Sequence, residues 1–213
     1  MYVPPAFRDD ELASLQATMR AAQLANLVTA TADGIDASPL PLFLDAGEGD
    51  KGVLYGHLAR ANPQWRGPVT SEALAIFMGP DAYVSPSWYA SKTTDGRVVP
   101  TYNYVTVHAF GPIEFFDDAE RLLAVVTRLT TLHENGRPTP WSVSDAPADF
   151  IKAQLRAIVG IRMPITRLVG KRKLSQNRPA QDRLRVAEGL AASARTGDRS
   201  LAAEMSGSEA AST

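Results

Sequence analysis

The sequence predicts a mainly β or α+β fold, a small antiparallel barrel with helices packed at its ends. Runs rich in β-branched and aromatic residues dominate positions 26–116, and Gly and Pro punctuate them at short intervals. Amphipathic helical stripes gather mainly after residue 117. With 213 residues, 45% of them hydrophobic, the chain has enough apolar surface for a substantial core. One domain over residues 1–192 is expected.

After the extended Pro4-Pro5 entry, Asp9 or Asp10 can cap a helix over about 9–22, with Leu12, Leu15 and Met19 near helical spacing. From Asn26 the pattern becomes alternating, Asp33-Gly34 suits a hairpin turn, and Ile35–Leu44 returns as a strand. The stretch Gly47–Gly52 matches G-x-G-x-x-G, yet no helix follows and Glu48 and Asp50 lie where a pyrophosphate needs none, so it reads as a surface turn. Val53–Leu58, Leu74–Met78 and Tyr102–Phe116 supply further strands. Asp117 and Glu120 form a capping pattern for a helix over 117–134 whose stripe is Leu122, Leu123, Val126, Leu129 and Leu132. A second helix is expected from Pro147 to Val159, ended by Gly160, then a strand over 161–169 and a polar helix over 179–192. Residues 193–213 are mostly Ala, Ser, Gly and Glu, and a disordered tail is expected there.

Composition narrows the functions available. Without cysteine there is no disulfide framework, thiolate metal site or thiol nucleophile, and a cytoplasmic location is the natural expectation. The start MYVPPAFRDD has no basic region followed by an apolar stretch, and no apolar run approaches the roughly 20 residues that span a bilayer, so neither secretion nor a membrane partner is expected. A formal charge of −1 gives no global attraction to nucleic acid. There is no G-x-S-x-G, P-loop or H-E-x-x-H, and His57, His108 and His133 have no carboxylate at metal-ligand spacing. A metal site is therefore not expected.

Two segments carry candidate chemistry. Tyr55–Trp65 runs from a strand into a turn where Asn62 suits an N-cap and Pro63 the first helical position, which would place Arg60 beside exposed backbone donors as an anion site. The competing reading makes Asn62-Pro63 a plain cap, His57 a neutral core imidazole and Arg60 a solvated side chain. Gly79–Tyr104 concentrates Tyr83, Trp88, Tyr89, Tyr102 and Tyr104 among hydrogen-bonding residues, which suits either a planar heteroaromatic ligand or a dimer interface.

The blocks MYVPPAF, GHLARANPQW, GPDAYVSPSWYASK, VPTYNYVTVHAFG and GKRKLSQNR, followed by Asp182, resemble the PaiB-type FMN-binding family over residues 1–183. That family is similar to the FMN-binding split barrels related to pyridoxamine phosphate oxidase and carries the label of negative transcriptional regulator. The resemblance implies an antiparallel split barrel and a homodimer with FMN at the subunit interface. By position, His57, Arg60 and Asn62 look like the phosphate end of the FMN site. The strand carrying Ser38 and Leu40 would edge the ring, and Trp88, Tyr89, Tyr102 and Asn103 are candidates to line the remainder. Lys173, Gln176 and Asn177 fall in a polar-basic run, Lys171–Arg178, that reads as a site segment, a nucleic-acid patch or a solvated turn.

No helix-turn-helix with a basic recognition helix is evident, so DNA stands as a partner without a motif. The same site would also serve an FMN-dependent oxidoreductase, with no catalytic residue singled out, or the propionates of a haem.

Overall fold

Pro41 decides how the first half of the chain is laid out. The computed structural model describes residues 1–22, 24–94 and 96–210, the side chains of 208–210 excepted. In chain order the elements are β1 (Arg8–Asp9), α1 (Leu12–Ala21), β2 (Ala25–Thr31), β3 (Gly34–Leu40), β4 (Leu42–Asp45), β5 (Val53–Ala59), β6 (Ala73–Val84), β7 (Thr101–Gly111), β8 (Glu114–Phe116), α2 (Ala119–Glu134), α3 (Ala148–Arg156), β9 (Ile158–Pro164), β10 (Arg167–Lys173), α4 (Ala180–Ala191) and α5 (Thr196–Ala210). The expected single strand Ile35–Leu44 is two strands in two sheets, because Pro41 has no N–H for a ladder and breaks the run.

The chain divides into two compact units. A central unit holds Leu12–Phe77 and His108–Leu168; a terminal unit holds Met1–Glu11, Met78–Val107 and Val169–Thr213.

In the central unit β2 pairs antiparallel with β3, Thr31 opposite Gly34; the hairpin expected at Asp33-Gly34 is present one position earlier, its turn being Ala32-Asp33, with Gly34 at φ 133° the first residue of β3. A second sheet runs in the order β4-β5-β9-β8. Its interior is aliphatic: Leu54, Leu58, Ile161 and Met163 are buried. Its other face carries Phe43, Tyr55 and Phe116, which pack with Leu122, Val125 and Leu129 of α2 and Leu155 of α3. The stripe of α2 is therefore 122, 125 and 129; Leu123, one residue on and so about 100° round, is exposed, and Leu132 shares the stripe's face but is exposed in the last turn of the helix. Asp118, not Asp117, caps this helix, accepting from the Arg121 N–H at 2.9 Å. Gly160, expected to end α3, lies inside β9, where a Cβ would come within 2.3 Å of the Phe116 ring. The run Tyr102–Phe116 also breaks, at Gly111-Pro112; a Cβ on Gly111 would lie 1.9 Å from the Pro164 carbonyl oxygen.

In the terminal unit β1 pairs with β10, Arg8 opposite Lys171. This uses Asp9 in a strand, so α1 begins later than expected, while the Asp9 carboxylate still accepts from the Glu11 N–H at 3.2 Å. Residues 196–210, expected to be a tail with little to bury, form α5. Its Leu201, Ala202 and Met205 bury against Ala82, Val84, Tyr89, Val105, Leu174, Val186 and Leu190. Spacings of one and four residues put those three on one helical face. Residues 211–213 of the expected tail lie outside the described residues. Among the described residues no helix is long and apolar enough to cross a membrane.

Candidate functional site

The turn after β5 is held by Asn62. Its Oδ1 accepts from the Gln64 N–H at 2.9 Å and its Nδ2 donates to the Ser38 hydroxyl at 2.8 Å. Pro63 takes the first helical position as expected, but the helix is one 3-10 turn, Pro63–Trp65. Three residues build no macrodipole, so the argument from a helix N-terminus for an anion does not hold here. What remains is side-chain chemistry: the Ser38 oxygen accepts from Asn62, which leaves its own proton to donate outward. Leu40, two residues on, is buried.

Gln64 was not singled out from the sequence and proves central to this turn. It is 2% exposed, and its Nε2 donates to the Leu27 carbonyl at 3.0 Å and the Thr29 hydroxyl at 3.2 Å, tying the turn to β2. A polar residue right after an Asn-Pro cap is a weak sequence signal, because exposed glutamine is equally common there.

Arg60 is engaged rather than solvated. Its backbone N–H donates to the Ala157 carbonyl at 2.8 Å, its Nε to Arg156 O at 2.8 Å and its Nη2 to Ile158 O at 3.2 Å. Three consecutive carbonyls at the end of α3 are thereby satisfied, the usual role of a cation at a helix C-terminus. Its Nη1 lies 3.6 Å from Asp117. The Trp65 indole donates to Arg60 O at 3.1 Å, and the guanidiniums of Arg60 and Arg66 lie 5.8 and 5.6 Å from the Trp65 ring centroid. Arg66, one residue beyond the recognisable block, has no acidic partner among the described residues.

His57 pairs with Gly160 in register and lies two residues from Tyr55, which places it on the same face of β5, the one that α2 and α3 cover. Its Nδ1 is buried with no hydrogen-bond partner, and burial pushes the imidazole below its ordinary range, toward the neutral form. Both features favour the neutral imidazole of the competing reading.

The remaining candidates lie in the terminal unit. Asn103 is fully buried and donates to the Ser175 hydroxyl at 2.9 Å; Ser175, at φ 66°, is the one non-glycine residue with a left-handed backbone among the described residues. Gln176 closes that turn, its Oε1 accepting from Leu174 N at 2.7 Å and its Nε2 donating to Arg172 O at 2.6 Å. Asn177 is exposed. The Lys173 ammonium donates to the Thr101 hydroxyl and the Tyr102 carbonyl, and burial, with Lys171 and Arg178 nearby, pushes it below its ordinary range. Tyr102 is exposed and packs edge-on against Tyr83 at 5.8 Å. Tyr89 is buried in the core with the Arg178 guanidinium 4.8 Å from its ring centroid, and Trp88 packs where a side chain on Gly189 would collide.

The basic run is thus turned inward. Lys171 is buried and donates to Tyr2 O at 3.2 Å, Arg172 pairs with Glu204, and Lys173 and Arg178 are held as described. A nucleic-acid patch needs exposed, unengaged cations, and this segment offers few. Ser38 joins Asn62, and Asn103 joins Ser175, each set within its own unit.

The family described as "Putative FMN-binding domain" matches residues 1–167. The protease synthase and sporulation protein PAI 2 of Bacillus subtilis (strain 168) is 30% identical over 191 residues, covering 89% of this chain and 89% of its own. An uncharacterized protein of Emericella nidulans, AN0679, is 31% identical over 226 residues, 89% of this chain and 90% of its own. Among solved structures, the FAD and heme binding protein from Mycobacterium smegmatis superposes with a TM-score of 0.58 at 18% identity, over 83% of this chain and 78% of that one. The fold is an antiparallel split barrel with flanking helices, and the chain belongs to the PaiB-type family of FMN-binding domains.

Proposed function

We propose that the protein binds FMN, works as a homodimer and has a flavin-linked regulatory role of PaiB type. The family match over 1–167 carries the reading. The donor set of the central unit fits a phosphate monoester: the Ser38 hydroxyl proton is free to donate, Asn62 holds that hydroxyl in place, and Arg66 supplies an unpaired guanidinium beside Trp65. Arg60 keeps the turn in place through the end of α3, and His57 stays a packing residue. In the terminal unit, taken by itself, Tyr102 and Tyr83 form an exposed aromatic pair. FMN, when bound, supplies one- and two-electron redox chemistry.

A second copy suits the free edge of β3. No strand pairs its outer side among the described residues, and Ile35, at 77% exposure, leaves an apolar side chain in water there.

An absorption spectrum before and after FMN addition tests the core of the reading. Flavin bands retained through gel filtration, at a dimer's elution volume, are expected; colourless protein with no retained FMN overturns it. An electrophoretic shift series over salt concentration tests direct DNA contact in the regulatory role.

A further inference from the structure

A cavity of about 590 Å³ lies in the central unit between α2 and the helix-covered face of the second sheet. No residue assigned to FMN lines it. Its walls include Phe43, Tyr55 and Phe116, together with Arg121, Arg128 and Arg162. Phe43 and Tyr55, opposite in register, stack at 5.5 Å with their planes 20° apart. The Arg121 guanidinium lies 3.8 Å from the Phe116 ring centroid.

The three cations are not equivalent. Arg121 pairs with Glu114 at 2.7 Å, and Arg162 pairs with Glu48 while its Nε donates to the Tyr55 hydroxyl at 3.1 Å. Those two are neutralised and fixed. Asp45, also in the wall, accepts from the Gly47 N–H at 3.0 Å. Arg128 has neither an acidic partner nor a hydrogen-bond acceptor among the described residues, although it borders this cavity and the two beside it. Among the ion pairs of the wall Arg128 is the cation left over, while the Asp45 carboxylate, also without a cation among the described residues, is held by the Gly47 N–H; aromatic faces with an unpaired guanidinium match a planar ring whose negative charge sits on Arg128. A guanidinium fork matches a carboxylate in two parallel hydrogen bonds, and the volume is in the range of small-molecule sites, roughly 300–1,000 Å³.

We propose that this cavity binds a small planar aromatic carboxylate, its ring against Phe43 and Tyr55 and its carboxylate on Arg128, independently of the flavin. The test is calorimetric titration of the full chain with 2-naphthoate and with the neutral analogue 2-naphthalenemethanol, each with and without saturating FMN. Naphthoate should bind with a Kd below about 1 mM, at least about tenfold tighter than the alcohol, as one charge-assisted bidentate contact implies. Arg128→Ala should remove that preference and leave alcohol binding unchanged, Arg128→Lys should restore part of it, and Phe43→Ala should weaken both ligands. Arg128 is exposed, so its replacement leaves the fold intact, which circular dichroism checks. Absence of naphthoate binding, equal affinity for the alcohol, an unchanged Kd in Arg128→Ala, or competition with FMN each overturns the proposal.

Discussion

Asn62 and Ser38, 24 positions apart, are joined by a 2.8 Å hydrogen bond from the Asn62 amide to the serine hydroxyl. The same asparagine caps the following turn through Oδ1. Asn62→Asp separates the two jobs, because aspartate is as good an acceptor cap as asparagine but has no N–H to give. FMN affinity should fall by at least about tenfold while riboflavin, which lacks the phosphate, loses less than about twofold, and the melting temperature should stay near wild type. Fluorescence titration of both flavins checks this, and equal losses for the two would move the phosphate away from Ser38.

Gln64 gives a stability prediction. Replacing it with Leu keeps the volume and removes the donor that satisfies Leu27 O and the Thr29 hydroxyl in a buried turn. A buried acceptor left without its partner costs about 1–3 kcal/mol. Urea denaturation should show that loss with an unchanged slope, and a loss under about 0.5 kcal/mol would mean water replaces the amide.

Gly160 and Phe116 make a testable pair. Their strands place them opposite each other, and the aromatic ring fills the space a Cβ would need. Gly160→Ala should destabilise by about 1–3 kcal/mol through overpacking. Adding Phe116→Leu should recover part of that loss, so the two substitutions are non-additive. Simple additivity in denaturant melts would show that the sheet shifts instead.

Much of the strand content, the hairpin at Asp33-Gly34, the Asn62 cap and α2 were legible because each rests on local chemistry: period-two alternation, turn residues, a cap before an apolar repeat. What escaped depends on partners distant in sequence. Gly160 reads as a helix end until Phe116 is seen over it. Arg60 reads as a free anion binder until Arg156, Ala157 and Ile158 present their carbonyls to it. Leu201, Ala202 and Met205 are too few to mark a buried helix from spacing alone, and the surface that covers them comes from β6, β7 and α4 together with Tyr89 and Leu174. The turn after β5 illustrates both sides: Asn62 was found by its cap, whereas Gln64 and Arg66 carry no local pattern.

Two half-buried histidines and one buried aspartate should give separate acid limbs to the stability curve. Burial holds the His57 and His108 imidazoles below the ordinary histidine range, so the folded chain resists a proton that the unfolded chain accepts near its usual pKa of about 6.5. The unfolded state then binds more protons as pH falls through that value. Stability is complete above it and declines below it. Asp182 works lower down. Burial alone would raise its carboxyl, but hydrogen bonds from the Ser91 N–H at 2.9 Å and hydroxyl at 2.7 Å, with the charge of Arg178, hold it below the ordinary carboxylate range. Its contribution is present above about pH 4, the usual value for an unfolded aspartate, and is lost as pH falls through the lower folded value. Urea midpoints measured from pH 8 to pH 3 should therefore fall in two stages. His57→Gln combined with His108→Gln should flatten the stage between about pH 7 and 5, and Asp182→Asn should lower stability at neutral pH while flattening the stage below about pH 4. An unchanged slope near pH 6 in the double histidine variant would show that neither imidazole is kept neutral by the fold.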